Sequence, residues 1–532
     1  MTLFTSIPPD TVYVETMKGK APMTRGTSTW KWRKDDTSVD IIKNGEQMEV
    51  SLHSPLTEVF YIVLRWNVHW PQQVKILGDH FERGYGDLEW RGHVIDRKLP
   101  WYFLVNTGET TNGLGVKTRP GAICYWHTDP RGYTLTLDVR NGTKGVRLGD
   151  RILNAATIIY RTGLTKETSF EAACEFCKLL CDDPLQTDEP VYGSNNWYYA
   201  YGNSSYNNII EDSKLLAELA PISGPRPYMV IDDGWQPVRL NGQSCNGGPW
   251  DRGNNRFVDM KRLADEMKGH GVKPGIWYRP LLTSERQEVY FKRRTSDGDG
   301  STILDPSAPE VLELIKKDIR RFVDWGYMLI KHDFTTFDIF GKWGYEMNDS
   351  LFAYREAFID RSKTTAEIIV NLYKAIREAA GNTVIIGCNT IGHLAAGLVH
   401  LQRTGDDTSG IEWERTRKMG INTLAFRMPQ HNALFQVDAD CVGITYKIPW
   451  ELNRQWLKLL SSSGTPLFIS ADPEIVDNEI KEEIRKAYQV ASQSLPIGYA
   501  RDWMSTTSPE KWVLGGQEVE FHWDENALLE DR

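Results

Sequence analysis

The chain is short of cysteine, with seven among 532 residues, and an odd number without framework spacing argues against a disulfide-stapled secreted scaffold. It has no uninterrupted apolar run of the ~18 residues a membrane helix needs. It has no excess of positive charge: the formal net charge is −9, so no basic footprint for nucleic acid is present. The opening Met1-Thr-Leu-Phe-Thr-Ser-Ile-Pro-Pro carries neither a basic stretch nor an apolar core of a secretory signal, and a cytoplasmic location is the expectation. Short-period repeats and low-complexity segments are also missing. Together these absences leave a globular protein with no membrane and no nucleic-acid partner, and homo-oligomer formation is compatible with the sequence. With 40% hydrophobic and 25% charged residues, 532 residues suffice for two or three domains.

Aromatics are plentiful, with 19 Trp and 22 Tyr. Flat amphipathic rings suit both cores and sugar faces. Cys174, Cys177 and Cys181 fall near one face of a predicted helix, Thr168–Leu180, opened by a Thr168/Glu171 capping box. No histidine lies nearby to complete a zinc site, so these thiols are expected to be buried apolar groups, and no metal is expected there.

Residues 1–182 read as mostly β. Val59–Trp66 and Tyr133–Val139 are rich in β-branched and aromatic residues, and Asn141-Gly142 supplies a turn. A β-sandwich without a catalytic constellation is expected there, acting as an accessory domain. After a polar, Pro-marked linker the pattern changes. Apolar strands near Tyr192–Tyr199, Tyr228–Ile231, Val272–Trp277, Met328–Ile330, Thr383–Gly387, Leu398–Leu401, Ala433–Val437 and Pro466–Ser470 alternate with helical stretches such as Asp212–Leu219, Met260–His270, Thr365–Ala380 and Glu451–Ser461. A helix with Ser307/Glu310 as capping box and Pro309 in its first turn leads into Tyr327-Met-Leu-Ile-Lys-His-Asp333. Eight such alternations over residues 190–492 predict a (β/α)8 TIM barrel. The fold class is therefore a multidomain α/β chain: an N-terminal sandwich, the barrel, and a short C-terminal β segment over 493–532.

The ends of the predicted strands are one-sided in chemistry. They finish in Asn195-Asn196-Trp197, Asp232-Asp233-Gly-Trp235, Trp277-Tyr278-Arg279, Lys331-His332-Asp333, Cys388-Asn389, Arg403-Thr-Gly-Asp406-Asp407 and Asp438-Ala-Asp440. Charge repeated at strand ends must meet at an open mouth rather than in a core. A mouth of carboxylates and indoles favours a neutral polyhydroxy ligand over a phosphorylated one. Lys331 and Arg403 in the same sets compete with a metal, so no metal or cofactor is expected. Two carboxylates of unequal pKa can hydrolyse a glycoside, one attacking the anomeric carbon and one passing a proton. Lys331, two residues before Asp333, favours an ionised nucleophile there. Like-charge crowding in Asp406-Asp407 raises one of that pair and suits it to the acid role, with both left open by this reading. His332 is a packed neighbour, and Cys388 is either pocket wall or simply buried.

Taken in order, Gly193-Ser-Asn-Asn-Trp197, Tyr-Met-Val-Ile-Asp232-Asp233-Gly-Trp235, Gly275-Ile-Trp277, Leu-Ile-Lys331-His-Asp333-Phe, Arg403-Thr-Gly-Asp-Asp407 and Ser462-Ser463-Gly464-Thr-Pro-Leu resemble the α-galactosidases of glycoside hydrolase clan D, chiefly family 36. The resemblance covers about residues 190–475. It implies a retaining, exo-acting glycosidase for terminal α-linked galactose or a close relative, with an oligosaccharide or glycoside substrate. It implies Asp333 as nucleophile and Asp407 as acid/base. It implies Asp232 and Asp233 on the sugar's O4 and O6, Lys331 on ring hydroxyls, and Trp197, Trp235 and Trp277 lining the pocket. Arg403 and Asp440 are further contacts, and Cys388 and Asn389, at the end of the fifth predicted strand, are candidate substrate-binding residues beside them. The sequence departs from the family at Arg279, where bacterial members often carry a carboxylate. Arg279 is therefore expected at the pocket rim, where it bears on which sugar is read. The alternatives implied are a galactosyl-transferring relative of the raffinose-synthase kind, a clan member for α-N-acetylgalactosamine or β-L-arabinopyranose, and a sugar-binding barrel without catalysis.

Overall fold

A computed structural model of the chain describes residues 4, 7–71, 73–237, 246–283, 291–294, 302–353 and 355–524, with backbone alone for 291–294. Its first part is β-rich, as expected. A six-stranded and an eight-stranded antiparallel sheet precede residue 162. Alternation sets which side chains turn inward: in Gln47–His53, Met48, Val50 and Leu52 are buried while their neighbours are half-exposed. Phe103 of the larger sheet packs against Trp126 and Tyr133 of the smaller, so the two sheets share one core. Each fully buried side chain of this kind contributes roughly 1.5–3 kcal/mol.

Helix α1, Ser169–Cys177, starts at Thr168, whose hydroxyl accepts from the Glu171 N–H while the Glu171 carboxylate takes the Thr168 N–H. The reciprocal capping read from the sequence is present. Cys181 lies beyond the helix, and among the described residues no cluster of His, Cys, Asp and Glu could hold a metal.

A parallel sheet follows. Its segments are β1 (Tyr192–Asn195), β2 (Tyr228–Ile231), β3 (Lys273–Tyr278), β4 (Leu329–His332), β5 (Val384–Gly387), β6 (Leu401–Arg403), β7 (Gln436–Asp438), β8 (Cys441–Ile444) and β9 (Leu467–Ala471). The hydrogen-bonded order is β7-β6-β5-β4-β3-β2-β1-β9-β8. Its two edge segments, β7 and β8, are consecutive in the chain, separated by Ala439 and Asp440 alone. Three Cα steps join Asp438 to Cys441, so the edges lie within about 11 Å of each other. The sheet is therefore strongly curled. Asp440 makes the bend with φ at 73°, a left-handed conformation that Asp tolerates better than most side chains.

Burial on both faces explains the nearly unbroken apolar strands. One face holds a cluster with Tyr228, Val230, Leu329, Val384, Ile386, Leu401, Cys441 and Phe468, drawn from six segments around the curl. The opposite face, with Met229, Ile231, Ile330 and Ile385, joins the larger core that includes the surrounding helices. Helix α2, Pro309–Asp324, shows why: Val311, Ile315, Ile319 and Phe322 recur at helical spacing and are buried. Pro309 stands at its start as read, but Ser307 does not cap it. The N-cap is Ala308, and the Ser307 hydroxyl instead donates to Asp305 at 2.7 Å.

Three further boundaries differ from expectation. The first strand ends at Asn195 and turns into a short helix, Trp197–Ala200. The sixth begins at Leu401 rather than 398, because Leu398 closes the turn of the preceding helix. The seventh, expected over Ala433–Val437, runs Gln436–Asp438, and a further segment not expected, Cys441–Ile444, follows the break at Asp440. After helix Asn478–Ala491, a three-stranded antiparallel sheet contains the hairpin Lys511–Leu514/Gln517–Glu520, turned at Gly515-Gly516. The end of the expected C-terminal segment, 525–532, lies outside the described residues. No helix among the described residues is long and apolar enough to cross a membrane.

Candidate active site at the carboxyl ends of the parallel strands

Strand alternation aims the site. Leu329 belongs to the inner cluster, so Lys331, two residues on, shares its face and points into the curl. Its ammonium donates to Oδ2 of Asp232, at the end of β2, at 2.7 Å. The same oxygen accepts from the Asn195 amide at 2.7 Å, and Oδ1 accepts the Asp233 N–H at 2.9 Å. Burial works against charge on Lys331, but Asp232 beside it outweighs this and holds the ammonium's pKa well above its usual value. The direct carboxylate partner of Lys331 is therefore Asp232 rather than Asp333, the group it was expected to favour as an ion.

Asp333 follows β4 directly. Phe334 takes a left-handed conformation, φ 63°, which turns the chain sharply and leaves the Asp333 carboxyl half-buried. Three N–H groups hold that carboxyl: Trp277 Nε1 at 3.1 Å on Oδ2, and the backbone of Phe334 at 2.7 Å and Asn389 at 3.1 Å on Oδ1. Charge-assisted bonds of this kind orient an anionic carboxylate without neutralising it by proton transfer.

Asp407 lies in the loop after β6. Arg403 Nη2 donates to its Oδ1 at 3.1 Å and to Asp440 at 2.8 Å. Arg83, from the β-rich N-terminal region, lies 3.6 Å from the same Asp407 oxygen and 2.9 Å from Asp406. The Asp407 side chain is 42% exposed, while Arg83 and Arg403 are almost wholly buried. Burial alone would raise the Asp407 carboxyl; Arg403, Arg83 and Lys331 together outweigh it and hold the group below the usual carboxylate range. The like-charge elevation expected of one member of the Asp406-Asp407 pair is not found at Asp407, because Arg403 and the Arg83 it shares with Asp406 face it. Asp406 takes Arg83 and, at 3.1 Å, Arg415.

Asp233 shows the opposite balance. Burial, with the charge of Asp232 adding to it, pushes its carboxyl up to about 6 against a 2.6 Å bond from Gln236.

Other predicted site residues fall into place around these groups. Trp197 is half-buried and meets Tyr201 edge-on. Trp277 is buried, but its indole N–H reaches Asp333. Cys388 is buried, with its sulfur 3.6 Å from Arg403 Nη1. Asn389 is buried and ties Asp333 to the Phe337 N–H and to Glu82. His332 is fully buried, and burial holds its imidazole down to about 3, as befits a packed neighbour.

Three placements differ from expectation. Trp235 is fully enclosed among Trp250, Phe322 and Trp325, a core position rather than a pocket wall. Arg279 is not an open rim cation: it is buried, forks onto Asp338 at 2.5 and 3.1 Å, and lies over the Phe334 ring at 4.1 Å. Asp440 is closed off by Arg403, Tyr198 and Thr408, so it orients Arg403 from behind.

The N-terminal region, expected to be an accessory domain without a catalytic constellation, nevertheless reaches the site. Asp79, Glu82 and Arg83 reach its edge. Arg427 clamps Asp79 at 2.6 Å, the Glu82 carbonyl at 2.6 Å and the Thr404 carbonyl at 2.8 Å. Gly84 pairs with Gly405 as an isolated bridge: the Gly84 N–H donates to the Thr404 carbonyl and its own carbonyl accepts from Asp406. The one visible signal was the run Asp79-His-Phe-Glu-Arg83-Gly-Tyr85, where charge crowds around an apolar ring between two predicted strands.

Paired carboxylates at the carboxyl ends of a curled parallel sheet are the layout of barrel-type active sites. Comparison with solved structures agrees on the fold. The chain is similar to TtGalA, the α-galactosidase of Thermus thermophilus seen with p-nitrophenyl α-D-galactopyranoside, at a TM-score of 0.59 and 16% identity, covering 96% of this chain and 99% of that one. It is comparably similar to a family 31 sulfoquinovosidase from E. rectale, at a TM-score of 0.60 and 11% identity, covering 98% and 87%. In sequence it matches alpha-galactosidase AgaA of Geobacillus stearothermophilus at 26% identity over 136 residues, which is 24% of this chain and 18% of that protein. No protein-family model matches the sequence.

Proposed function

We propose that the protein is a retaining, exo-acting glycoside hydrolase that removes terminal α-linked galactose, or a closely related sugar, on a (β/α)8 barrel. The observation that carries this reading is the unequal treatment of two carboxylates on one rim. Asp333 is held by three N–H donors, and Asp407, two strands along, is half-open beside two arginines. The curled sheet with consecutive edge segments supports the barrel, and the α-galactosidases among its structural relatives support the sugar. Residues 1–182, 190–492 and 493–532 are taken as the N-terminal, catalytic and C-terminal units.

Asp333 attacks the anomeric carbon as the bond to the leaving oxygen breaks, and the protonated form of Asp407, the minor form while Arg403 and Arg83 face it, gives that oxygen its proton. Asp407, now a carboxylate, takes a proton from water. The water oxygen bonds to the anomeric carbon, and the ester to Asp333 breaks. Asp232 and Asp233 accept hydroxyl hydrogen bonds from the sugar. Release of p-nitrophenol from aryl glycosides tests the reading. The α-galactoside, or a stereochemically neighbouring sugar, should turn over, and Asp333→Ala should abolish it. Turnover by Asp333→Ala at the wild-type rate overturns the nucleophile, and an inert wild type across the whole panel overturns the activity.

A further inference from the structure

We propose that Arg83 is a positioning residue for Asp407, and that Asp406 is the carboxylate on which Arg83 rests while Asp407 is neutral. The inference rests on the glycosidase reading and adds to it a part of the chain, the loop 79–85, which the strand-end logic leaves out.

The geometry is specific. The guanidinium reaches Asp406 through Nη2 at 2.9 Å, Asp407 through Nη1 at 3.6 Å and Glu82 through Nε at 3.6 Å, and lies over the Trp343 ring at 5.5 Å. Its side chain is 3% exposed, so it cannot relax into water. The backbone that carries it is locked to the Asp406 loop by the two Gly84 bonds described above. A Cβ at Gly84 would meet Thr423 Cγ2 at 2.8 Å, and one at Gly405 would meet the Met419 carbonyl at 1.9 Å. Both glycines thus seat their loops against the same segment, 419–423, which leaves no room for a side chain at either position.

Asp407 must alternate between neutral acid and carboxylate in each turnover. A buried cation whose only partner becomes neutral is left uncompensated. Both arginines on Asp407 avoid this in the same way. Arg403 keeps Asp440 at 2.8 Å, and Arg83 keeps Asp406 at 2.9 Å, whichever state Asp407 is in. The other groups around Asp407 are Lys331 from β4, Tyr198 from the helix after β1, and Arg415, which donates to Asp406 and to the Asp407 carbonyl at 2.9 Å. Of the cations, Arg83 is the one that comes from outside the parallel sheet and its connecting segments. Docking of the N-terminal region thereby sets the charge and placement of the proton donor.

The test is the pH dependence of kcat/KM on an aryl α-galactoside for the wild type, Arg83→Gln and Arg83→Lys. The basic limb follows loss of the Asp407 proton in the free enzyme. Removing one nearby cation raises that pKa, so in Arg83→Gln the limb moves up by about one pH unit; Arg83→Lys, which keeps the charge, holds it near the wild-type position. A limb that stays put in Arg83→Gln overturns the proposal. Carboxyl infrared titration of the wild type, Arg83→Gln and Arg83→Lys, taken as differences against Asp407→Asn, gives a second readout independent of turnover. Asp407 is expected to titrate higher in Arg83→Gln than in the wild type and Arg83→Lys, and an unmoved titration overturns the proposal. A wild type inert on every glycoside, with the infrared shift present, would count against the glycosidase reading rather than against the Arg83 contact.

Discussion

Trp277 donates its indole N–H to Oδ2 of Asp333 at 3.1 Å, across the register in which Trp277 lies beside Lys331 on the neighbouring strand. The ring is buried and its N–H is bonded to the carboxylate, so Trp277 is placed to act on Asp333. A hydrogen bond to a charged group is worth about 1.5–3 kcal/mol. Trp277→Phe should therefore lower kcat by roughly 10- to 100-fold while KM for a monosaccharide glycoside changes little. Steady-state kinetics with circular dichroism checks it; an unchanged kcat removes Trp277 from the site.

Much of this arrangement was legible beforehand, for a physical reason. Parallel strands buried on both faces leave long apolar runs, and the charge that interrupts them at Asp232, Lys331, Asp333 and Asp407 can only lie at the sheet's open end. Partner choice was not legible in the same way. Lys331 is two residues from Asp333 in sequence, yet alternation and register aim it at Asp232, 99 residues away. Trp235 at a strand end reads alike as pocket wall or core, and only the packing of Phe322 and Trp325 against it decides. Arg83 lies more than 300 residues from Asp407, and a contact of that range leaves no periodicity to read.

The Lys331–Asp232 pair is nearly sealed from water. Breaking one side leaves a buried charge, so Lys331→Met should destabilise by about 3–5 kcal/mol. The double variant Lys331→Met/Asp232→Asn, which leaves no charge behind, should recover a large part of that loss. Urea unfolding of the two variants measures it; equal losses would show that the pair contributes packing rather than charge.

Asp233 carries a stability signature with a definite sign. Its folded pKa, about 6, exceeds its unfolded value near 3.8, so the native state binds the proton more tightly. Its contribution is most favourable below pH 3.8 and is lost as pH rises through 6. The full difference amounts to roughly 2–3 kcal/mol. Asp233→Asn should therefore be more stable than the wild type at pH 7.5, with the gap closing toward pH 4, while losing affinity for the sugar. Unfolding midpoints at both pH values check it; a gap independent of pH contradicts the assignment.

The Arg427 clamp holds the N-terminal loop to the Asp406 loop through Asp79. Arg427→Met leaves the Asp79 carboxylate, itself buried, without its cation, with a cost of about 3–5 kcal/mol. Activity should fall with stability, because the same clamp fixes the Thr404 carbonyl ahead of Asp407. Thermal melting alongside turnover tests the link, and a destabilised variant with wild-type turnover would separate the two loops functionally.

Asp333 as the atom donor to the anomeric carbon is the central claim, and covalent trapping tests it most directly. The wild type is incubated with an activated 2-deoxy-2-fluoro α-galactoside, digested, and the labelled peptide sequenced by mass spectrometry. The expected result is one fluorosugar per chain, esterified to Asp333. A label on any other residue, or unlabelled protein that nonetheless hydrolyses p-nitrophenyl α-galactoside with inversion of the anomeric centre, contradicts it.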